Sequence, residues 1–535
     1  MIMGYKVLVT DEIDEIAAKI LRDICEVDYK PVLTADNLKA IINNYDALMI
    51  RSSSKITKEI LSFAERLKVI GRAGVGVDNI DVDAATEKGI VVINSPEGNT
   101  VAASEHTIAM MLSVIRHIPA ADVSVKQGRW ERSGLMGKEV FNKTIGIIGL
   151  GKVGSRVATI VRAMGMKVLA YDPFVGKDRA EELGAHYATS PDEIWRSSDF
   201  ITLHVPKNKD TLNLINGDAI AKMRKGVIII NCARGGLINE ADLARAIQDG
   251  SVEMAAIDVF DKEPAGDSPL LKLGNKVVLT PHLGASTEEA QINVAVDVAE
   301  QIRDMARGLP ARSPVNIPSL KPETLEPVKN YMALAENLGA FLRQVTAGAA
   351  REIELVACGE LAEFDLAPLV VAVTKGVLCC SSEGINYVNA PKLAEKKGIH
   401  VKKATSTDSE NYLSLLRVVL TTDKETHKTT GTMLGRDIPR ILGLNGYRTS
   451  IEPAEHMLVL PHKDKPGMVA QVAAVLSGEN INISMMQVGR KVRGQVGGES
   501  IMVLNVDESV SAAALLRLQN IDGIYDAQYV NLNAK

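Results

Sequence analysis

The chain has 535 residues, of which 46% are hydrophobic and 24% are charged, a balance that excludes a disordered or fibrous protein. At about 150 residues per domain, this length predicts roughly three to four domains rather than a single core. The formal net charge is −5 with no long basic run, so neither nucleic acid nor an anionic membrane is expected as a partner, and small-molecule chemistry is favoured.

The cysteines and the N-terminus indicate the compartment. The N-terminal sequence lacks a basic segment followed by an apolar stretch, and no apolar run approaches the about 18–20 residues of a membrane helix. The cysteines are odd in number and lack the paired spacing of a zinc site: Cys25, Cys232, Cys358, Cys379 and Cys380. We therefore expect a cytoplasmic protein with reduced thiols, no membrane span and no bound metal.

Residues 1–98 alternate short β-branched runs with helical patterns, which predicts a small parallel α/β unit. A long amphipathic stretch at 100–118, predicted to be a helix, leads into a second and larger unit at 99–283. Six strands with helical connections predict a doubly wound sheet in that unit, at 144–149, 167–172, 200–204, 227–231, 254–259 and 277–280. Only 4% of residues are aromatic, which favours sheets filled by aliphatic side chains.

The segments after this sheet predict further division of the chain. A helical run at 287–307 is long enough to cross back, so the first unit is expected to combine residues 1–98 with 284–312. Prolines at 310, 314, 318 and 322 predict a linker. Residues 320–452 mix helices and strands without a recognisable motif. Residues 455–535 follow the order βαββαβ, which predicts a ferredoxin-like domain.

The glycines of the segment Gly149-Leu-Gly151-Lys-Val-Gly154 follow a strand and open a helix, which is the pattern of a dinucleotide-binding turn. The next strand ends at Asp172, 21 residues after Gly151, where a carboxylate can accept hydrogen bonds from the adenosine ribose. Because Asp172 repels a ribose phosphate, the pattern favours NAD over NADP. The alternative is a glycine-rich turn that binds no ligand.

Three polar residues follow later strands of this sheet, at the edge where ligands of doubly wound sheets bind. Arg234 lies in a glycine-flanked loop, Glu263 precedes a proline, and His282 comes directly after the last strand. Oxidation of a secondary alcohol needs a cation to hold the substrate and a base for the hydroxyl proton, roles that suit Arg234 and His282, while Glu263 would orient and charge the imidazole. Taken singly, each residue has an alternative interpretation as an ordinary surface or structural side chain.

The blocks Gly71-Arg-Ala-Gly-Val-Gly-Val-Asp, Asn231-Cys-Ala-Arg-Gly-Gly, Asp258-Val-Phe-Asp-Lys-Glu-Pro and Thr280-Pro-His-Leu-Gly-Ala resemble those of the D-2-hydroxyacid dehydrogenase family. The resemblance implies that Arg234, Glu263 and His282 are catalytic. It also implies an NAD site lined by Val75, Gly149, Gly151, Lys152, Val153, Gly154, Asp172, Val205, Cys232, Ala233, Arg234, Asp258, His282, Leu283, Gly284 and Ala285. Where relatives carry Thr, this chain has Val75, which leaves a backbone contact but no hydroxyl contact.

The same resemblance implies an α/β protein with a doubly wound NAD domain (99–283), a discontinuous flavodoxin-like substrate domain (1–98 and 284–312), an α+β intervening regulatory domain (320–452) and an ACT domain (455–535). Arg51, Arg72 and Arg132 resemble positions near the substrate, and basic groups there suit a phosphate. The implied reaction is NAD-dependent oxidation of 3-phospho-D-glycerate to 3-phosphohydroxypyruvate, the first step of serine synthesis. The alternative interpretation is that Arg51, Arg72 and Arg132 are unrelated surface residues.

The ACT resemblance implies an amino-acid effector, serine, and a homo-oligomer, dimer or tetramer, since such domains pair across subunits. His462, Asp464 and Asn482 fall where serine binds in regulated relatives; the Asp suits the ammonium and the Asn the carboxylate. Two alternatives stay open: another D-2-hydroxyacid dehydrogenase, such as a glyoxylate or hydroxypyruvate reductase, and a non-catalytic, dinucleotide-sensing corepressor-like protein. The extra C-terminal length argues against the first, and the absence of any nucleic-acid signal argues against the second.

Overall fold

The computed structural model describes residues 4–31, 33–317, 322–379, 384–435, 437–491 and 497–533. The N-terminal part is a five-stranded parallel sheet in the order β2-β1-β3-β4-β5, the flavodoxin-like order. Its strands are β1 (Lys6–Thr10), β2 (Glu26–Lys30), β3 (Ala47–Ile50), β4 (Val69–Arg72) and β5 (Val91–Ile93). Its helices are α1 (Glu15–Leu21), α2 (Ala35–Ile41), α3 (Lys58–Ser62) and α4 (Val82–Glu87). Strand β2 was not predicted, because it lies at the sheet edge and its residues are at most half-buried.

Two helices connect this sheet to the next, α5 (Thr100–Ile115) and α6 (Ile118–Lys126). The helix predicted at 100–118 is present, but it ends at Ile115, and α6 was not predicted. Between them His117 takes a left-handed conformation with φ of +53°, and the two helices meet at a bend of 63°. No single described helix is long and apolar enough to cross a membrane, and only the bent pair α5 and α6 passes that test by length and composition.

The second sheet has seven parallel strands in the order β12-β11-β10-β9-β6-β7-β8, the doubly wound order. Its strands are β6 (Thr144–Ile148), β7 (Lys167–Tyr171), β8 (His186–Tyr187), β9 (Phe200–Leu203), β10 (Val227–Asn231), β11 (Val252–Ile257) and β12 (Val277–Leu279). Its helices are α7 (Lys152–Ala163), α8 (Lys177–Glu182), α9 (Pro191–Ser197), α10 (Gly217–Ala221) and α11 (Glu240–Asp249). The six predicted strands are present, and the two-residue β8 is too short to leave a periodic pattern.

Helix α12 (Glu288–Ala306) carries the chain back to the first sheet. The hydroxyl of Thr287 caps its N-terminus by accepting a hydrogen bond from the backbone N–H of Ala290. Val298 and Ile302 are buried against β1, β3 and β4, and a Cβ at Gly71 would lie 2.5 Å from the Val298 side chain. The absence of a side chain at Gly71 therefore lets α12 approach β4. The domain boundaries themselves stay predictions, and Pro318 of the predicted linker lies outside the described residues.

The intervening region contains a mixed six-stranded sheet in the order β14-β13-β15-β16-β17-β18, in which only β13 and β14 pair in parallel. Its helices are α13 (Pro322–Val345), α14 (Ala367–Cys379) and α15 (Ala390–Lys396). Its strands are β13 (Ala350–Gly359), β14 (His400–Ser406), β15 (Ser414–Thr422), β16 (Thr426–Leu434), β17 (Ile438–Leu444) and β18 (Tyr447–Ile451). Helices α13 and α14 pack closely at Gly376, where a Cβ would lie 2.0 Å from the Glu336 carbonyl oxygen. The absence of a side chain at this residue therefore permits the close approach.

The C-terminal elements are β19 (His456–Lys463), α16 (Met468–Gly478), β20 (Ile483–Arg490), β21 (Glu499–Val506), α17 (Ala512–Gln519) and β22 (Gln528–Asn531). The antiparallel order β20-β21-β19-β22 confirms the predicted ferredoxin-like fold. Met457, Val459 and Val530 share one hydrophobic core with α13 and α14. Gln344 on α13 also exchanges two hydrogen bonds of 2.9 Å with the backbone of Asn531. The two C-terminal regions are therefore packed as one body.

Candidate active site

The glycine turn between β6 and α7 has the geometry that close approach of a dinucleotide requires. Gly149 has φ of +96°, and a Cβ there would lie 2.4 Å from the His204 carbonyl oxygen. A Cβ at Gly154 would lie 2.0 Å from the Gly149 carbonyl oxygen, so both positions need glycine. At Gly151 a Cβ would meet nothing within 4 Å, which leaves the backbone at the helix N-terminus open to a phosphate.

Asp172 lies directly after β7 and is buried. Its Oδ2 accepts a hydrogen bond from the Leu150 N–H (2.7 Å) and its Oδ1 accepts one from the Phe174 N–H (2.8 Å). Because each carboxylate oxygen has two lone pairs, one on each oxygen remains for a ribose hydroxyl. Asp172 therefore both fixes the glycine turn and fits the predicted role toward NAD.

A cleft of about 780 Å³ opens at the N-terminus of α7 and is lined in part by Gly151, Lys152, Ser155 and Arg156. Lys152 forms an ion pair with Glu97 of the segment that precedes α5, at 2.7 Å. Two cations beside an open helix N-terminus suit a pyrophosphate. Arg156 was not predicted, although its position one helical turn after Lys152 was a usable signal.

Four other predicted cofactor residues follow the carboxyl ends of strands: Val75 after β4, Val205 after β9, Ala233 after β10 and Ala285 after β12. The Val75 carbonyl oxygen already accepts a hydrogen bond from Asn94 Nδ2 at 2.5 Å. Val153, within α7, packs against the core between α7 and the sheet. The contacts of these residues with NAD stay predictions.

Asp258, after β11, is fully buried. Its Oδ1 accepts hydrogen bonds from Thr280 Oγ1 (2.6 Å) and from the Leu283 N–H (2.7 Å), while its Oδ2 accepts one from the Gly284 N–H (2.9 Å). His106 Nε2 lies 3.1 Å from Oδ1. Asp258 therefore holds the loop that carries His282, a role that the sequence did not reveal.

The thiol of Cys232 lies near this carboxylate. Burial, and secondarily the negative charge of Asp258, raise the pKa of Cys232, so the thiol stays protonated. Donor atoms of His106, Cys232 and Asp258 lie within 4.8 Å of one another, a spacing that a metal ion could use. His106 and Asp258 of this group already contact each other directly, at 3.1 Å.

His282 and Glu263 form a direct pair, with His282 Nδ1 2.9 Å from Glu263 Oε2. The other carboxylate oxygen of Glu263 accepts a hydrogen bond from the Phe260 N–H at 3.2 Å, which orients the carboxylate. A neutral imidazole that donates from Nδ1 to Glu263 keeps Nε2 as a proton acceptor. An apolar cavity of about 540 Å³, lined in part by Pro264 and Leu279, adjoins the pair.

Arg234 reaches from the second sheet to the glycine-rich loop after β4. Its Nε donates to Asp78 Oδ2 at 3.2 Å and its Nη1 donates to the Ala233 carbonyl oxygen at 2.7 Å. A Cβ at Gly76 would lie 2.3 Å from Arg234 Nη2, so the loop admits the guanidinium only because this residue is glycine. The contact with Asp78 was not predicted, although Asp78 closes the motif that carried the family resemblance.

Two further predicted arginines belong to the same group of charges. Burial and the like charges of Arg234 and Arg51 lower the pKa of Arg72 to about 10, against the opposing effect of Asp78. Burial also lowers the pKa of Arg51, which Asp11 and Glu12 partly offset. The Nε of Arg72 is buried and has no hydrogen-bond partner within the described ranges. This cluster of cations with an unsatisfied donor is suited to a multiply charged anion.

Arg132 is not part of that cluster. Its side chain is exposed in the segment after α6 and makes no hydrogen bond or ion pair with the described residues. Its predicted role at the substrate stays a prediction.

The structure does not bring the three predicted effector residues together. His462 and Asp464 lie at the C-terminal end of β19, whereas Asn482 precedes β20 at the opposite end of the sheet. His462 is 2% exposed and its Nδ1 lies 2.9 Å from the Leu460 carbonyl oxygen. Asp464 pairs with Arg490 Nη2 at 2.8 Å. Asn482 is exposed and donates from Nδ2 to Asp507 at 2.6 Å. An effector would therefore compete with an existing partner at Asp464 and at Asn482.

Three segments of the chain match family models. Residues 108–284 match the NAD binding domain of D-isomer specific 2-hydroxyacid dehydrogenases, residues 327–445 match the D-3-phosphoglycerate dehydrogenase intervening domain, and residues 456–523 match the ACT domain. A D-lactate dehydrogenase structure from Aquifex aeolicus, in complex with NAD and lactic acid, is 31% identical with a TM-score of 0.51, covering 56% of this chain and 96% of that one. Fold and site thus define a D-2-hydroxyacid dehydrogenase with an NAD-binding domain.

Full-length relatives identify the family within the D-2-hydroxyacid dehydrogenases. The chain is 46% identical to a D-3-phosphoglycerate dehydrogenase of Synechocystis sp., over 98% of this chain and 95% of the relative. It is 43% identical to the enzyme of that name from Methanocaldococcus jannaschii, over 98% of this chain and all of the relative. The chain belongs to the D-3-phosphoglycerate dehydrogenase family. The predicted family resemblance, fold class and NAD cofactor are confirmed.

Proposed function

We propose that the chain oxidises 3-phospho-D-glycerate at C2 to 3-phosphohydroxypyruvate. The observation that carries this proposal is the cluster of Arg234, Arg72 and Arg51. Arg234 comes from the sheet that also carries Glu263 and His282, and it contacts the loop after β4 of the first sheet. Guanidinium groups can bind both a carboxylate and a phosphate, the two charged groups of this substrate. The full-length relatives named as D-3-phosphoglycerate dehydrogenases support the same substrate.

The residues of the site divide the work of this oxidation. Arg234, held by Asp78, would bind the carboxylate and polarise the C2 oxygen. His282 Nε2 would take the hydroxyl proton, and Glu263 would stabilise the imidazolium that forms. The glycine turn and Asp172 would hold NAD, which would supply the hydride acceptor. Asp258 keeps the His282 loop in place, because its side chain accepts hydrogen bonds from the backbone N–H groups of Leu283 and Gly284.

The proposal predicts a strong dependence on the substrate phosphate. With NAD at alkaline pH, NADH formation measured by absorbance is expected to be about 10- to 100-fold more efficient, as kcat/KM, with 3-phospho-D-glycerate than with D-glycerate or D-lactate. The reason is that one well-placed charged contact contributes about 1.5–3 kcal/mol. Glyoxylate and hydroxypyruvate with NADH complete the panel. Equal or better turnover of an unphosphorylated acid would refute the substrate assignment, and binding of NAD without turnover of any acid would favour the non-catalytic alternative.

We further propose that serine regulates the enzyme through the C-terminal ACT domain, where Asp464 would take its ammonium and Asn482 its carboxylate. The support is the ACT match at 456–523. Asp464 and Asn482 of one chain lie at opposite ends of the sheet, so one serine would contact both residues only across two paired copies of the domain. Gln344 and the shared core connect this domain to α13, which offers a path for coupling.

An Asp464→Asn variant is expected to need about tenfold more serine for half-inhibition of NADH formation, because it loses a charge-assisted contact of about 1.5 kcal/mol. Asp522→Asn serves as the matched control, since Asp522 pairs with Lys465 on the surface of the same domain. The control should respond to serine as the wild type does. If serine has no effect on the wild type, or if both variants respond identically, this assignment fails.

We also propose a cytoplasmic homo-oligomer, dimer or tetramer. Trp130, Met136 and Phe141 are 80%, 84% and 63% exposed in one segment after α6, and an apolar surface of this kind is typical of an interface with a second copy. Cys25, Cys232 and Cys358 are free thiols, which suits a reducing compartment. Sedimentation equilibrium that gives only a monomer mass would contradict the oligomer, and cell fractionation checks the compartment.

A further inference from the structure

His106 lies where the two connections between the parallel sheets meet. It is on α5, which begins shortly after β5 of the first sheet, and its side chain faces Asp258 at the end of β11 in the second sheet. The chain returns to the first sheet through the loop 280–287 and α12. Asp258 contacts both connections. His106 Nε2 of the first lies 3.1 Å from Asp258 Oδ1 and 3.3 Å from Thr280 Oγ1. From the second, Asp258 accepts hydrogen bonds from Thr280, Leu283 and Gly284.

The Asp258 carboxylate depends on its donors. It is fully buried, and burial by itself favours the protonated form, yet the hydrogen bonds from His106, Thr280 and the Leu283 N–H lower the pKa of Asp258 below its ordinary value. An ionised carboxylate without solvent is stable only while such donors surround it. His106 is the donor to Asp258 that comes from α5, within the part of the chain that the structure describes.

Asp258 also holds the backbone of His282 in an uncommon conformation. His282 has φ of +56°, and its N–H lies 2.8 Å from the Asp258 carbonyl oxygen and 3.0 Å from that of Thr280. A left-handed conformation at a residue other than glycine costs free energy and persists only where the surroundings hold it. The two following N–H groups, of Leu283 and Gly284, complete this support through the Asp258 side chain.

We propose that His106 is a positioning residue for the reaction: by donating to Asp258 it ties α5 to the loop that carries His282, and so keeps the base in its geometry. It acts through Asp258 and touches neither substrate nor cofactor in this role. The expected change in kcat rests on the proposed function. The contact between His106 and Asp258 does not, because it is independent of the substrate.

The test uses the full-length enzyme with His106→Leu, which removes the donor, and His106→Gln, which keeps an N–H near the same position. His106→Leu is expected to lower kcat by about 10- to 100-fold, the effect of a hydrogen bond to a charged group, with KM for phosphoglycerate and for NAD within about twofold of wild type. His106→Gln should recover most of kcat. His186→Leu, on the exposed β8 at the opposite edge of the sheet, is the matched control and should behave as wild type.

A second readout separates this inference from the substrate assignment. Amide hydrogen exchange at Leu283 and Gly284 is expected to be about tenfold faster in His106→Leu than in His106→Gln, because loss of about 1.4 kcal/mol of support changes an opening equilibrium tenfold. Faster exchange without phosphoglycerate turnover in the wild type would refute only the proposed substrate. Unchanged exchange and kcat, equal losses in both variants, or a stoichiometric metal in the wild type that His106→Leu removes would overturn the role proposed for His106.

Discussion

A His282→Asn variant is expected to form NADH from phosphoglycerate with kcat lowered by about 10³-fold, since general-base catalysis contributes roughly 10²–10⁴-fold. The amide cannot take the hydroxyl proton at the position of Nε2, and it forms no charged pair with Glu263, which in the wild type lies 2.9 Å from the imidazole. NAD binding, measured by fluorescence titration, should change by less than about threefold, because removal of the base leaves the glycine turn and Asp172 in place.

Asparagine is the informative replacement because of the backbone at this position. His282 has φ of +56°, a conformation that Asn tolerates better than most residues, so the variant changes the base without adding strain. His117→Asn is a matched control, since His117 also has positive φ (+53°) and lies at the bend between α5 and α6. The control should keep the wild-type kcat. A His282→Asn enzyme that retained a tenth or more of kcat would refute the role of His282 as the base.

The second large effect is expected at Arg234. Replacement by Ala should lower kcat/KM for phosphoglycerate by about 10²–10³-fold, a loss comparable with removal of one donor to a developing oxyanion. Lys should restore little, because a single ammonium cannot reproduce a guanidinium whose Nε and Nη1 are fixed on Asp78 and on the Ala233 carbonyl. Initial rates at varied substrate and saturating NAD give the measurement.

Arg224→Ala is the control for loss of an arginine at the surface, since Arg224 pairs with Asp199 away from the strand ends that carry the site. It should leave kcat/KM within about twofold of wild type, as exposed ion pairs contribute little. If Arg234→Ala weakened NAD binding alone and left kcat/KM for the acid unchanged, Arg234 would belong to the cofactor site rather than to the substrate.

Much of the fold was predictable because its signals are local. The strands of the two parallel sheets appear as short aliphatic runs, and the turn at Gly149–Gly154 has a spacing that only a tight strand-to-helix connection explains. Elements with weak local signals were missed. Strand β2 is at an edge, β8 has two residues, and the break at His117 interrupts a continuous helical pattern without a glycine.

The candidate site was predictable to the extent that strand ends share one edge of a sheet. That rule singled out Arg234, Glu263 and His282, and the structure places Glu263 and His282 in direct contact. It could not assign Asp258, because a buried carboxylate and a cofactor ligand look alike in the sequence. Nor could it separate Arg72, which joins the cation cluster, from Arg132, which the structure leaves exposed.

By itself, then, the sequence determined the elements, the dinucleotide turn and the set of polar residues at the strand ends, because each depends on residues within about one βαβ unit of one another. Only the tertiary structure decided which of those side chains meet. Arg234 contacts Asp78 across 156 residues and His106 approaches Thr280 across 174. Such contacts depend on how two separately folded sheets pack against each other, and no local pattern of residues records that packing.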